Sequence, residues 1–231
     1  MIRLNGGTLV ACAGVIAGIV GLTRRAAPAE HAPLPAAVAG AVDPAPDHAT
    51  DEVAVFSGGC FWGIELVFEH VRGVKLAESG YAGGGAGTAG YEAVSTGTTG
   101  HAESVRVVFD PSQVTYAQLL QVFFSVAHDP TQLNYQGPDH GPQYRSAIWY
   151  TNDAQKRTAE AYIAQLERAK VFPKPIVTQV NPLKGFYLAE AYHQDYADHH
   201  PDQPYIVYND APKLERLRRE LPALYRGARS S

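Results

Sequence analysis

Between residues 53 and 71 the apolar period changes from two to about 3.6 across a pair of glycines. Val53-Ala-Val-Phe56 is a short apolar strand, and Cys60, Ile64, Val67, Phe68 and Val71 recur at helical spacing. Gly58 and Gly59 stand at the joint, where they permit a tight turn and leave backbone N–H groups open. A strand running through such a turn into an amphipathic helix must bury both apolar faces against each other.

The same alternation continues along the chain. Lys75-to-Tyr81 and Ser104-to-Asp110 read as strands, the second alternating Val105, Val107 and Phe109. Thr115 with Gln118 makes a capping box for a helix carrying Leu119, Leu120, Val122, Phe123 and Val126. A strand over Ser146-to-Thr151 precedes a long helix from about Asp153 to Val171. Another strand covers Ile176-to-Val180, and helices near 189–199 and 211–221 follow. We expect an α+β fold, a two-layer sandwich with a mixed sheet packed against helices, ferredoxin-like in outline.

The N-terminal part reads differently. No charged residue falls between Leu4 and Thr23, Arg3 precedes the apolar run, and Ala27-Pro28-Ala29 has the small residues of a cleavage site. Arg24 and Arg25 fit an uncleaved anchor better, although the run is at the short limit for a span. Residues 1–25 are therefore expected to be a signal peptide or membrane anchor, with possible membrane attachment through residues 4–23. The protein is then exported, periplasmic or anchored facing outside the cytoplasm. Residues 26–50, mostly Ala and Pro, read as a linker that buries too little surface to offset its ordering entropy.

Arg3, Arg24 and Arg25 balance Glu30, Asp43 and Asp47, so the net charge of −4 belongs to residues 51–231. A mildly acidic domain lacks the basic excess that phosphate neutralisation requires, which sets nucleic acid aside. The 2 cysteines exclude a disulfide framework and a four-cysteine zinc site. His193, His199 and His200 lack metal-ligand spacing, and Gly83-Gly-Gly-Ala-Gly87 lacks the Lys-Ser/Thr of a phosphate loop. No metal is expected.

The chemistry concentrates in Gly59-Cys60-Phe61-Trp62-Gly63. Unpaired N–H donors at a helix start, and the positive end of its dipole, favour a thiolate. The alternative is a buried, inert cysteine with glycines used for packing. Phe61 and Trp62 suit an apolar pocket. Glu103 is a candidate proton donor if burial raises its pKa, or else a solvated strand-edge carboxylate. Tyr91, Tyr135 and Tyr144 are candidate donors to a developing oxyanion, or else packing residues. Asp139-His-Gly-Pro-Gln-Tyr144 is a polar loop of the kind that carries function.

Taken together, Gly59-Cys-Phe-Trp-Gly63, Tyr91-Glu-Ala-Val, Gly100-His-Ala-Glu103 and Asp139-His-Gly-Pro-Gln-Tyr-Arg-Ser146 resemble the peptide methionine sulfoxide reductase A family. The resemblance runs from about Val53 to Pro204. It implies reduction of the S epimer of methionine sulfoxide, free or in proteins, with Cys60 as nucleophile and Glu103 as acid. Tyr91 and Tyr144 would hold the sulfoxide oxygen, Asp139 would be a further polar residue of the site, and Phe61 with Trp62 would receive the substrate methyl.

Many members carry resolving cysteines, whereas Ser95 stands in one such region here and the tail from Tyr192 to Ser231 has none. The other thiol, Cys12, lies in the apolar N-terminal run. The expectation is a one-cysteine enzyme acting as a monomer. It binds no cofactor, and an external thiol (thioredoxin-like, glutaredoxin or a small thiol) resolves its Cys60 sulfenic acid. Two rival readings stand beside it. One is a cysteine acyl transferase or hydrolase with His101 or His128 as base, and the other a non-catalytic binder of oxidised methionine.

Overall fold

Chain order and pairing build one mixed sheet on which the helices lie. The computed structural model describes residues 34–37 and 50–227, so the expected export segment and most of the 26–50 linker lie outside the described residues. The strands are β1 (Glu52–Ser57), β2 (Val74–Ala82), β3 (Ala102–Phe109), β4 (Tyr135–Gln136), β5 (Asp139–His140), β6 (Ala147–Tyr150), β7 (Gln179–Pro182) and β8 (Phe186–Leu188). The helices are α1 (Phe61–Glu69), α2 (Tyr91–Val94), α3 (Tyr116–Val122), α4 (Asp153–Ala169), α5 (Tyr196–His199) and α6 (Ala211–Glu220).

The sheet order is β7-β6-β1-β3-β2-β8, and β4 and β5 form a separate hairpin. All pairs in the large sheet are antiparallel except β6 with β7. Its centre, β6-β1-β3-β2, with α1 joining β1 to β2 and α3 between β3 and β6, is the ferredoxin-like split β-α-β arrangement. The fold class is α+β, as the alternating periods imply.

Alternation along each strand divides the sheet faces. Ala54, Phe56, Tyr81, Val105, Val107, Phe109 and Ile148 face the helical layer and join its core, whereas Val55, Ala82, Ala102, Ala147 and Trp149 form a smaller cluster. Phe56 stacks on Phe68 of α1 and on Phe123, with centroids 5.0 and 4.9 Å away. Glu103 shares the parity of Val105 and Val107, so its side chain rises from β3 toward the layer that contains α1.

The capping box forms as expected. Thr115 Oγ1 accepts the Gln118 N–H at 3.2 Å, and Gln118 Oε1 accepts the Thr115 N–H at 2.8 Å. Two elements differ from the periodicity. The ladder of β7 with β6 begins at Gln179, because the Val177 N–H is taken by the Pro130 carbonyl. The helix expected over 189–199 is instead a 3₁₀ turn, Ala191–His193, and α5, separated by Asp195 at φ 53°. That break lets the Gln194 amide accept the Ser79 N–H and donate to the Ser79 carbonyl, both at 3.0 Å, sealing the edge of β2.

Within the stretch whose composition reads as a linker, residues 34–37 are held by the helices. Leu34, Pro35 and Ala36 offer consecutive carbonyls to Gln121, Tyr162 and Gln165 at 2.9, 2.9 and 3.0 Å. Leu34 itself is buried in the main core.

Candidate active site

Cys60 is the N-cap of α1, following Gly59 at φ 103°. A side chain is strained there, and a Cβ on Gly59 would lie 2.6 Å from Gln136 Cγ. The glycine thus lets the strand turn into the helix beneath the β4–β5 hairpin. The next missing side chain matters as much. A Cβ on Gly63, in the first turn of α1, would meet Asp210 Oδ1 at 2.0 Å and Lys213 Nζ at 2.6 Å. The Asp210–Lys213 ion pair, 2.9 Å long, therefore packs directly on the start of the cysteine's helix.

Glu103 is brought to the same place by the sheet. Its Oε2 accepts the Phe61 backbone N–H at 3.0 Å, satisfying one of the open donors of α1. Burial pushes its pKa up to about 8, against the pull of that hydrogen bond, and the Asp139 charge adds to the rise. Glu103 is thus a neutral acid at pH 7.

The sulfur departs from the sequence expectation. Cys60 is buried, and desolvation, followed by the charges of Glu103 and Asp210, raises its thiol well above the ordinary value. The Trp62 N–H and the Lys213 ammonium pull it back only in part. A helix start does supply favourable donors, but loss of water around the sulfur outweighs them, so the resting site holds a thiol.

The two tyrosines converge on this pair. Tyr91 opens α2, its N–H donated to Glu190 Oε1 at 2.9 Å, and Tyr144 ends the 3₁₀ turn Pro142–Tyr144. Burial raises the Tyr144 phenol, as do Glu103, Asp139, Cys60 and Tyr91; burial raises Tyr91 too, with Glu103 and Cys60 contributing. Both phenols stay protonated and able to donate. Asp139, on β5, accepts a short hydrogen bond from Tyr205, and its pKa rises chiefly through burial.

Phe61 and Trp62 form the apolar side. Phe61 is buried against Tyr81 and His193, and the half-buried Trp62 stacks on Tyr196 at 3.8 Å with Tyr205 edge-on at 5.9 Å. Tyr196, Tyr205, His193, Asp210 and Lys213 were not legible as site residues, since they lie more than a hundred positions beyond Cys60. For His193 and Tyr196 the dense His-Gln-Asp-Tyr run was the one local signal.

Tyr135 stacks on His140 at 5.4 Å. His101 accepts the Gly84 N–H on Nδ1, so Nε2 donates to the Gly85 carbonyl. His128 donates from Nδ1 to the Phe123 carbonyl and accepts from Ser146 Oγ on Nε2, and burial lowers it to about 4. Both rings are committed to other partners, so neither is the free imidazole base that the acyl-transfer reading requires. Among the described residues, no group of three or more His, Cys, Asp or Glu is arranged to hold a metal ion.

The family described as peptide methionine sulfoxide reductase matches residues 52–223. A peptide methionine sulfoxide reductase of Mesorhizobium japonicum is 60% identical over 174 residues, covering 75% of this chain and 89% of that protein. One from Thermus thermophilus is 51% identical over 176 residues, covering 76% and 98%. Among solved structures, Saccharomyces cerevisiae Mxr1 in reduced form has a TM-score of 0.59 at 33% identity, covering 66% of this chain and 87% of that one. Methionine sulfoxide reductase A of Corynebacterium diphtheriae has a TM-score of 0.57 at 36% identity, covering 67% and 77%.

Proposed function

Because the chain belongs to the peptide methionine sulfoxide reductase A family, we propose that Cys60 reduces the S epimer of methionine sulfoxide, free or in proteins, by taking the oxygen onto its own sulfur. The observation that carries this reading is the neutral Glu103 carboxyl tied to the first turn of the helix that Cys60 caps.

A sulfoxide sulfur is a weak electrophile until its oxygen is protonated or strongly hydrogen-bonded. Glu103 supplies the proton, and the Tyr91 and Tyr144 hydroxyls donate to the oxygen as charge develops on it. Cys60 gives up its proton within the same site and its sulfur accepts the oxygen. The sum is Cys60–SH plus sulfoxide giving Cys60–SOH plus thioether. Two electrons pass from the cysteine sulfur to the methionine sulfur, and no net proton is gained or lost. The raised thiol pKa is compatible with this balance, because the thiol proton replaces the one that Glu103 donates.

Phe61 and Trp62 receive the methyl group and exclude water. Methyl, oxygen and attack direction together define one hand at sulfur, which is the basis for choosing the S epimer. An external thiol then condenses with the sulfenic acid, releasing water. A second thiol releases Cys60 and leaves with the first as a disulfide. The reductant is a thioredoxin-like protein, a glutaredoxin or a small thiol, since Cys60 is the lone cysteine among the described residues.

The apolar run 4–23 supports an exported or membrane-held protein that repairs oxidised methionine outside the cytoplasm. Incubating the full chain with dithiothreitol and each sulfoxide epimer tests the catalytic reading. Methionine should form from the S epimer and none from the R epimer. Consumption of the R epimer alone, or of neither, would overturn it.

A further inference from the structure

We propose that Arg145 is a positioning residue for this reaction: its guanidinium clamps the turn that carries Tyr144 onto the backbone leading into Glu103, which fixes an oxygen donor relative to the acid. The inference rests on the proposed reduction and names the side chain that holds the oxygen end of its site together.

The clamp is made of backbone carbonyls. Arg145 Nη2 donates to the Gly100 carbonyl at 2.8 Å, and Nη1 donates to the His101 and Pro142 carbonyls at 3.0 and 2.8 Å. Gly100 and His101 lead into β3 just ahead of Glu103, and Pro142 opens the 3₁₀ turn that Tyr144 ends. A planar fork can meet three such acceptors at once, whereas an ammonium is a point donor. On the other side of Tyr144 in sequence, the buried Gln143 donates from Nε2 to the Ser95 carbonyl at 3.3 Å, tying the same turn to the residue that ends α2. The neighbours of Tyr144 thus reach the two elements that carry Glu103 and Tyr91.

The guanidinium is itself held from behind. It lies over the Trp149 ring at 5.5 Å, and the Trp149 indole donates to Ser57 Oγ at 2.8 Å. Ser104 Oγ gives its one proton to the Ala102 carbonyl at 2.9 Å, so in the 2.7 Å contact between the two hydroxyls Ser57 is the donor. Both serines are buried, and the chain Trp149–Ser57–Ser104–Ala102 crosses β6, β1 and β3 on the sheet face opposite Glu103. Gly83 leaves room for the clamp. At φ 100° it carries no side chain, and a Cβ there would lie 2.6 Å from Trp149 Cη2 and 2.8 Å from Arg145 Nη2. Three strands therefore back the side chain that fixes Tyr144.

The test measures, in the full chain, the saturating single-turnover rate on the S epimer of methionine sulfoxide and the sulfoxide concentration that gives half of it. Wild type, Arg145→Met, Tyr144→Phe and the double variant are compared. A donor whose bond strengthens as charge develops on oxygen acts on the rate more than on binding. Arg145→Met should lower the saturating rate roughly tenfold, part of the about 10²-fold that losing a whole oxyanion donor costs. Half-saturation should change less than about threefold. On the Tyr144→Phe chain the same substitution should lower the rate less than about twofold, because the hydroxyl it positions is gone. Arg145→Lys, which keeps the charge without the fork, should fall between wild type and Arg145→Met.

An equal fall in both backgrounds overturns the proposal, as does a wild-type rate in Arg145→Met or a loss confined to half-saturation. Should Arg145→Met not fold, Arg145→Lys in the same two backgrounds decides by the same comparison. A wild-type chain that reduces no sulfoxide would overturn the functional reading instead. The clamp is then decided by ¹³C NMR of the tyrosine rings, in which the Tyr144 signal is identified by its loss in Tyr144→Phe. That signal should move in Arg145→Lys, and an unmoved one overturns the clamp.

Discussion

The Glu103 carboxyl and the Phe61 backbone N–H are joined by a 3.0 Å hydrogen bond that ties the central strand β3 to the first turn of α1. The bond engages Oε2, which leaves Oε1 to carry the acidic proton. The Glu103 carboxyl and the helix that Cys60 caps are thus fixed together through a backbone donor that the helix geometry leaves open.

Replacing Glu103 by Gln should slow single-turnover sulfoxide reduction by about 10²- to 10⁴-fold, the usual worth of a general acid. In the wild type the rate should be constant between pH 6 and about 7 and fall as pH rises through about 8, where Glu103 loses its proton. A variant retaining wild-type rate and pH profile removes Glu103 from the chemistry.

The same substitution should raise stability at neutral pH. The sign follows from linkage. The unfolded chain releases the Glu103 proton near the ordinary carboxylate value, whereas the folded chain keeps it until about pH 8. Stability therefore falls as pH rises across that window, by on the order of 3 kcal/mol at pH 7. Urea denaturation of wild type and Glu103→Gln at pH 5 and pH 7 checks this, with a larger difference expected at pH 7.

Cys60→Ser should abolish turnover while leaving far-UV circular dichroism and the denaturation midpoint close to wild type. Without reductant, the wild type should yield one methionine per chain and a sulfenic acid that dimedone traps. More than one methionine per chain, or an internal Cys12–Cys60 disulfide, would contradict the external-thiol scheme.

Gly63→Ala should lower both stability and activity, because its Cβ would fall 2.0 Å from Asp210 Oδ1. Displacing α6 from α1 should cost about 1–3 kcal/mol, as overpacking does. Thermal unfolding together with the rate of Cys60 alkylation measures it, and a variant unchanged in both would show that α6 yields freely.

Leu34→Ala should cost about 2 kcal/mol, the low end for a buried leucine, since the site lies where the segment enters the core. Its sulfoxide kinetics should match wild type. Denaturant unfolding gives the first and steady-state rates the second. No loss of stability would mean that residues 34–37 contribute little to the fold.

What local pattern can express was legible. The strand Val53–Phe56, the turn at Gly58-Gly59, the helix after Cys60, the Thr115–Gln118 box and the parity that turns Glu103 toward the helical layer all follow from periods of two and 3.6 and from short-range hydrogen bonds. The helix proposed across 189–199 failed because its interruption at Asp195 serves a distant strand edge, which no window around those residues contains.

Electrostatics lay furthest from the sequence. The helix start at Cys60 argues for a thiolate, yet the raised thiol and the neutral Glu103 depend on how much water the surrounding chain removes. Desolvation sums over every neighbour, including Asp210 and Lys213 from the far end of the chain. The sequence alone singled out the candidate atoms and the elements that carry them. The tertiary structure decided their protonation, the Tyr205–Asp139 and Trp62–His193 partnerships, and the close approach of α6 to Gly63. Those depend on residues that meet only when the sheet and helices close over them.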